Sequence, residues 1–487
     1  MTDYLQLARD CIATGFHGSE IDPALPRFGG YVFFAENGTS PQELRALTDA
    51  LRVREERTLP PVLAIDQEGG RVARLRDGVE PMPPLMALGA AGNIDLARRA
   101  GEQIAFDLRR AGCTLDFAPV LDLAVNAKNT VIGTRSFGDD SQRVAELGAA
   151  LARGLRDGGV LPCYKHFPGH GATAVDSHDE LPAIDSTRAS LRAADMVPFA
   201  AVAPEAVAIM TGHLLVRAID SQRPATLSAR IATRLLRDEL GFAGALVSDC
   251  LEMRALPGAA SPQTAILALS AGVDLLLFSH DTDAAYAAAT AIAQAVESGA
   301  LPLQRLETAR RRVERLRAHA SPPLDLDAFP PHPMVGREVA RSAVTLIRGV
   351  PRADPVASVA IAFGANGTRL RHEAPALREA SLPLEPHRDQ IRALLDDLEG
   401  WQRRPLLLAQ RAHLYEAQAA AIADVIARYP DALVVSTAEP FDLPLFPRAR
   451  HLLACYGNDA ASLGGLADVL FGGAMPSGQL PVTFPHE

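Results

Sequence analysis

The chain has 487 residues, more than one ordinary hydrophobic core holds, so two domains are expected. With 48% hydrophobic and 22% charged residues it has the balance of a water-soluble globular protein, and a net charge of −10 speaks against nucleic acid as a partner. Cys11, Cys113, Cys163, Cys250 and Cys455 stand far apart with no CxxC pair, which argues for reduced thiols rather than a disulfide framework or a structural zinc site.

The N-terminus, Met1-Thr2-Asp3-Tyr4, shows no basic-then-apolar leader, and no run reaches the roughly 18 apolar residues of a membrane span. A cytoplasmic protein without a membrane partner is therefore expected.

From residue 1 to about 320, short apolar runs alternate with helical stretches. The runs expected to be strands are Gly30–Phe34, Pro61–Ile65, Leu115–Ala118, Leu161–Tyr164, Ala206–Met210, Ala245–Val247 and Val273–Phe278. Helices are expected over Pro41–Arg54, Ile94–Ala111, Ser141–Asp157 and Ser190–Val202, the last with a kink at Pro198. Asn93 and Ser141 suit N-caps, and Gly112 and Gly158 suit helix stops. Strand–helix alternation implies a parallel sheet wrapped by helices, and about seven or eight repeats over roughly 300 residues match a (β/α)8 barrel. A doubly wound sheet is the rival, but no GxGxxG or GxxxxGK[ST] follows the first strand.

A helical pattern over Gln304–His319 carries the cluster Arg310-Arg311-Arg312, expected to be a solvated helix face. Five prolines in the next stretch, Pro322, Pro323, Pro330, Pro331 and Pro333, mark a linker. Beyond it, Ala340–Ile347 mixes helix and strand character. Val356–Phe363, Pro405–Ala409 and Leu433–Ser436 read as strands and Glu416–Arg428 as a helix. The expected division is therefore a barrel over 1–320, a Pro-rich linker over 321–335 and a smaller α/β domain over 336–487.

The polar residues that can do chemistry mostly follow the apolar runs: Asp66, Lys165-His166, His213 and Asp249. In a barrel all strands end on one face, so distant segments converge there. Asp249 can be a nucleophile, a base or a metal ligand, or simply a helix cap. Asp176 and His178 are two residues apart in a loop, where a carboxylate can fix an imidazole and favour its protonated form, a general acid near neutrality. Asp66 and Arg74 share a Gly-Gly loop suited to sugar hydroxyls, and Arg135 lies on another Gly-flanked loop; structural salt bridges are the competing reading. His166, His170 and His178 lack the spacing of HExxH, and no GxSxG is present, so neither a catalytic metal nor a serine hydrolase is expected.

In order along the chain, AIDQEGGRVARL (Ala64–Leu75), FAPVLD (Phe117–Asp122), VIGTRSFG (Val131–Gly138), KHFPGHG with DSH (Lys165–Gly171, Asp176–His178) and VSDCLEM (Val247–Met253) make the sequence resemble the family 3 glycoside hydrolases. Within them it is similar to the β-N-acetylglucosaminidases of the peptidoglycan-recycling type. ARSAVTLIRG, VVSTAEPFDL and GGAMPSGQLPVTFP resemble the family's C-terminal α/β domain, in a short form.

The resemblance implies Asp249 as the nucleophile of a retaining mechanism and His178, partnered by Asp176, as the acid/base, with Asp66, Arg74, Arg135, Lys165 and His166 holding the sugar. It implies no cofactor, and a small GlcNAc-containing muropeptide or oligosaccharide as the partner, with the oligomeric state left open. Cys250 stands where relatives often carry Asp or Ala. A β-glucosidase or β-xylosidase, a phosphorylase using the same site, and a non-catalytic sugar-binding protein remain as alternatives.

Overall fold

The computed structural model describes residues 3–54, 59–173, 181–256, 258–319, 321–364 and 370–484. Eight parallel strands close a barrel in sequence order: β1 (Ile12–Thr14), β2 (Gly30–Phe33), β3 (Val62–Ile65), β4 (Leu115–Asp116), β5 (Leu161–Phe167), β6 (Ala208–Thr211), β7 (Ala245–Cys250) and β8 (Leu275–Phe278). Closure comes from β1 lying between β8 and β2, with Ile12 opposite Leu276 and Ala13 opposite both Leu277 and Gly30.

The apolar runs lack polar alternation because both strand faces are buried, as parallel barrel strands require. Ala13, Val32, Ala64, Leu115, Cys163, Met210, Val247 and Leu277 fill the interior. The alternate residues Ile12, Phe33, Ile65, Tyr164, Ile209, Leu246 and Phe278 pack outward under the helices.

The seven expected barrel strands are all present. The eighth, β1, has only the three residues Ile12–Thr14, too short for a periodic signal; pairing to strands far along the chain defines it. Asn93 caps its helix by accepting from Leu96 N at 3.0 Å. The cap of the Ser141–Asp157 helix is Asp140, not Ser141: its carboxylate accepts from both Gln142 N and Arg143 N, one acceptor serving two free amides. The expected helix over Ser190–Val202 is two, Arg188–Ala193 and Val197–Val202, with Pro198 in the first turn of the second, where its missing N–H costs nothing.

The cluster Arg310-Arg311-Arg312 is not a uniformly solvated face. Arg311 is exposed, but Arg310 pairs with Asp10 at 3.3 Å and Arg312 reaches the buried Asp274 at 3.2 Å. The Pro-rich stretch is irregular but strapped to the barrel wall: Arg45, Arg109 and Arg110 donate to the carbonyls of Leu324, Pro322 and Leu326. Proline carbonyls lose no acceptor capacity, so a segment unable to build a ladder can still be tied down by guanidinium groups.

The second sheet has the order β9-β14-β13-β12-β10-β11: β9 (Thr345–Arg348), β10 (Ser358–Phe363), β11 (Arg378–Leu382), β12 (Arg404–Ala409), β13 (Leu433–Ser436) and β14 (His451–Ala454). Only β9 runs antiparallel, against β14. The stretch of mixed character resolves into a helix, Val335–Ala343, followed by β9. That helix packs on the barrel-side helix Leu85–Ala91 and on Ala460–Leu470. Its Gly336 is required there, because a Cβ would lie 2.0 Å from the carbonyl oxygen of Pro81. Arg99 and Glu338 add a bidentate pair at 2.7 and 3.0 Å across the same junction. Among the described residues, no helix is long and apolar enough to cross a membrane.

Candidate active site

Six of the eight residues singled out in the sequence line one cavity of about 200 Å³ at the C-terminal ends of the barrel strands: Asp66, Arg74, Arg135, Lys165, His166 and Asp249. Its apolar walls come from Val32, Phe34, Phe117, Met210, Met253 and Leu277. The other two, Asp176 and His178, lie outside the described residues.

Asp66 leaves β3 and enters a hairpin, Gln67–Gly69 against Val72–Ala73. Gly69 and Gly70 both have positive φ, and a Cβ on either would collide with Pro83 or Pro84, so only glycine makes this turn against that wall. The Gln67 amide oxygen accepts from Arg74 N and Leu75 N at 2.9 and 3.0 Å, closing the loop. Arg74 thereby returns to within 3.3 Å of the Asp66 carboxylate.

β5 carries Lys165 into the same cluster, with its ammonium 2.7 Å from Asp66 and 2.6 Å from Glu68. Glu68 is almost wholly buried and takes both arms of Arg135, each at 2.7 Å. Burial alone would raise the Glu68 carboxyl, but Arg135 and Lys165 outweigh it and hold it far below the usual carboxylate range. Asp66 is held low by Lys165 and Arg74 in the same way, against its own burial. Desolvation pulls Lys165 down, yet Asp66 and Glu68 keep its ammonium above its ordinary value. Asp66, Glu68 and Lys165 thus keep their charges together within one buried cluster.

Asp122, after β4, organises the loop that follows Lys165. Its carboxylate is 2.6 Å from His166 Nδ1 and accepts from His170 N at 2.6 Å. Asn129 ties that loop to the one bearing Arg135: it donates to the His170 carbonyl at 2.9 Å and accepts from Ile132 N at 2.9 Å.

Asp249, near the end of β7, accepts from Cys250 N at 2.8 Å. Burial would raise its carboxyl; the His213 and His166 rings, the Cys250 amide and Lys165 together hold it below the usual range. It is therefore an ionised carboxylate on the cavity wall. Behind it, His213 is wholly buried, with Nε2 2.8 Å from the Cys250 carbonyl and Nδ1 2.8 Å from Thr226 Oγ1. Burial pushes the Cys250 thiol up to about 12, so it is no thiolate near neutrality.

The second domain braces the site. Glu439 takes Arg411 in a bidentate pair, both contacts 2.8 Å, and accepts from Thr134 N at 3.1 Å, next to Arg135. His213, expected at this face from its place after a strand, stands behind Asp249 as that rule implies, whereas Glu68 and Asp122 carry no individual expectation from the sequence. Asp122 lies in the segment that follows β4, where the same strand-end rule could have found it; Glu68 sits inside the hairpin and had no such signal.

Residues 24–316 match the glycosyl hydrolase family 3 N-terminal domain, and residues 287–487 match that family's C-terminal domain. The chain belongs to glycosyl hydrolase family 3. A β-hexosaminidase of Chromobacterium violaceum is 40% identical over 276 residues, covering 55% of this chain and 76% of its own. The structure of a family 3 β-N-acetylglucosaminidase from Paenibacillus sp. FPU-7 superposes with a TM-score of 0.90 over 99% of both chains at 31% identity. The Neisseria gonorrhoeae enzyme NagZ, solved with N-trifluoroacetyl-D-glucosamine, matches with a TM-score of 0.52 at 28% identity, covering 63% of this chain and 98% of its own.

Proposed function

We propose that the protein is a retaining exo-β-N-acetylglucosaminidase that removes terminal non-reducing β-linked GlcNAc through a covalent glycosyl–Asp249 intermediate. The observation that carries the reading is the placement of an ionised Asp249 on the wall of a small cavity, together with the Asp66–Lys165–Arg74–Arg135 cluster. At about 200 Å³ the cavity is smaller than the roughly 300–1,000 Å³ of pockets that hold drug-sized ligands, which suits one terminal sugar rather than an internal stretch of chain.

In this mechanism Asp66, held ionised, accepts from ring hydroxyls, while Arg74, Lys165 and His166 donate to them. Asp249 attacks the anomeric carbon as the glycosidic bond breaks. His178, supported by Asp176, protonates the leaving oxygen and then takes a proton from the water that releases the sugar. The hexosaminidase names of the relatives support the N-acetyl sugar.

The site residues bind peptidoglycan-derived fragments in a reducing, cytoplasmic setting, a reading supported by five free thiols. The domain limits at 320 and 336 belong to the same proposal.

A fluorinated GlcNAc donor that traps the intermediate tests the core of it. Peptide mapping is expected to place the adduct on Asp249, and labelling of any other residue would overturn the assignment. Comparing aryl β-GlcNAc with aryl β-glucoside turnover tests the sugar, and a soluble muropeptide against a chitin disaccharide tests the fragment class.

A further inference from the structure

Three successive strand ends of the closed barrel, those of β8, β1 and β2, carry His280, His17 and Glu36 into one exposed group. His17 Nδ1 is 3.2 Å from one Glu36 oxygen, and His280 Nδ1 is 3.7 Å from the other. The two imidazoles stack, with centroids 5.8 Å apart and planes 12° apart. One ligand atom from each residue falls within 4.8 Å of the other two. We infer that His17, Glu36 and His280 form a binding site for one divalent transition-metal ion of the zinc type on the rim of the sugar cavity.

The donor chemistry fits. Two neutral imidazoles and one carboxylate suit zinc, whose bonds to nitrogen and oxygen run about 2.0–2.2 Å. Such bonds need the three donors to draw together slightly, and exposed side chains can turn to do so. Three protein ligands leave a position for water, which the solvent-facing rim supplies. The shared carboxylate alone is a weaker explanation: exposed pairs of this kind contribute little, and nothing in them requires two imidazoles stacked over one acid.

The backbone that carries the three ligands is fixed in place, as a binding site requires. The buried Asn37 donates to the carbonyls of Phe16 and Gly18, on either side of His17, at 2.9 and 2.8 Å. Its oxygen accepts from Phe34 N at 2.8 Å, which fixes the turn that bears Glu36. Glu252 accepts from the amides of Ser279, His280 and Asp281 and so pins the third ligand. Gly15 lets the β1 and β8 ends meet, since a Cβ there would lie 1.9 Å from the Ser279 carbonyl oxygen. These supports hold the ligand-bearing main chain while leaving the three side chains free for a ligand.

The site touches the sugar cavity through Phe34. The Phe34 ring lies 4.7 Å from that of His280, lines the cavity and carries the Arg74 guanidinium at 5.4 Å. Glu252 is three residues beyond Asp249 and also accepts from the Cys250 thiol at 3.2 Å. A bound ion would therefore stiffen one wall of the cavity without entering it.

The test uses full-length, chelator-stripped protein without a histidine tag, titrated with Zn2+ by calorimetry or against a chromophoric chelator. One ion per chain is expected to bind in the micromolar range or tighter, with affinity falling at least about tenfold in each of Glu36→Gln, His17→Ala and His280→Ala. Saturation only above about a millimolar would overturn the site, on the scale of ordinary weak surface contacts. So would wild-type affinity retained by any of the three variants. Thermal melts matching the unsubstituted protein confirm that the variants are folded when the affinities are compared.

Discussion

Asp249 and Asp274 lie at opposite ends of the neighbouring strands β7 and β8, and both are carboxylates surrounded by positive charge. Asp274 is wholly buried and saturated. One oxygen accepts from Arg305 at 2.9 Å and Arg312 at 3.2 Å, the other from Arg237 and from Leu246 N. Among the described residues Asp249 accepts one hydrogen bond, from the adjacent Cys250 N, and it lines a cavity. The basic side chains near it bind other acids first: Lys165 goes to Asp66 and Glu68, and His166 to Asp122. A structural carboxylate uses up its lone pairs on the protein, whereas a reactive one is kept charged by neighbours that leave its lone pairs free.

Substitution separates the two roles. Asp249→Ala is expected to lower kcat on an aryl β-GlcNAc by roughly four orders of magnitude, with thermal stability close to that of the parent. Asp274→Asn leaves three guanidiniums without their anion and is expected to cost about 3–5 kcal/mol of stability in urea melts, with kcat per folded molecule unchanged. Should Asp274→Asn abolish turnover in folded protein, or Asp249→Ala leave it intact, the contrast fails.

A smaller effect is expected at Glu68, which has an intermediate role. It anchors Lys165 and Arg135 but faces them rather than the cavity. Glu68→Gln keeps the shape and removes the charge, so about 1.5–3 kcal/mol should be lost from kcat/KM, mainly through a raised KM. Steady-state kinetics that show an unchanged KM would make Glu68 a bystander.

This contrast also explains what the sequence could reveal. Asp249 follows an apolar run, whereas Asp274 stands near the start of one, Val273–Phe278, and strand ends on one face are where barrels place chemistry. The same rule located Asp66, Lys165 and His166, all of which line the cavity. It could not reach Glu68, whose role depends on a two-glycine turn folding back on Pro83 and Pro84. It missed β1 because three residues hold no period, and it read the 310–312 arginines as solvated because Asp274 lies dozens of residues away in sequence. Features set by local pattern were legible; those set by long-range pairing were not.

The smallest expected effect concerns a third kind of acid in the barrel, Asp116. It ends β4, is wholly buried and accepts from Gln67 N at 2.9 Å through one oxygen. Its other oxygen has no hydrogen-bond partner among the described residues. Burial pushes its carboxyl up to about 8, aided by Asp66 and Glu68 and opposed by the Gln67 amide and Lys165. An unfolded Asp loses its proton near pH 3.9, so between that value and about 8 the folded chain holds one proton more than the unfolded chain. Stability from this group is therefore full at low pH and is lost as pH rises, at about 1.4 kcal/mol per pH unit. Asp116→Asn is always neutral and cannot contribute this slope. Urea melts of the variant at a series of values between about pH 5 and pH 7 should flatten by about 1 kcal/mol per unit relative to the parent. Parallel curves would mean that Asp116 is ionised inside the barrel, with Lys165 shared among three carboxylates instead of two.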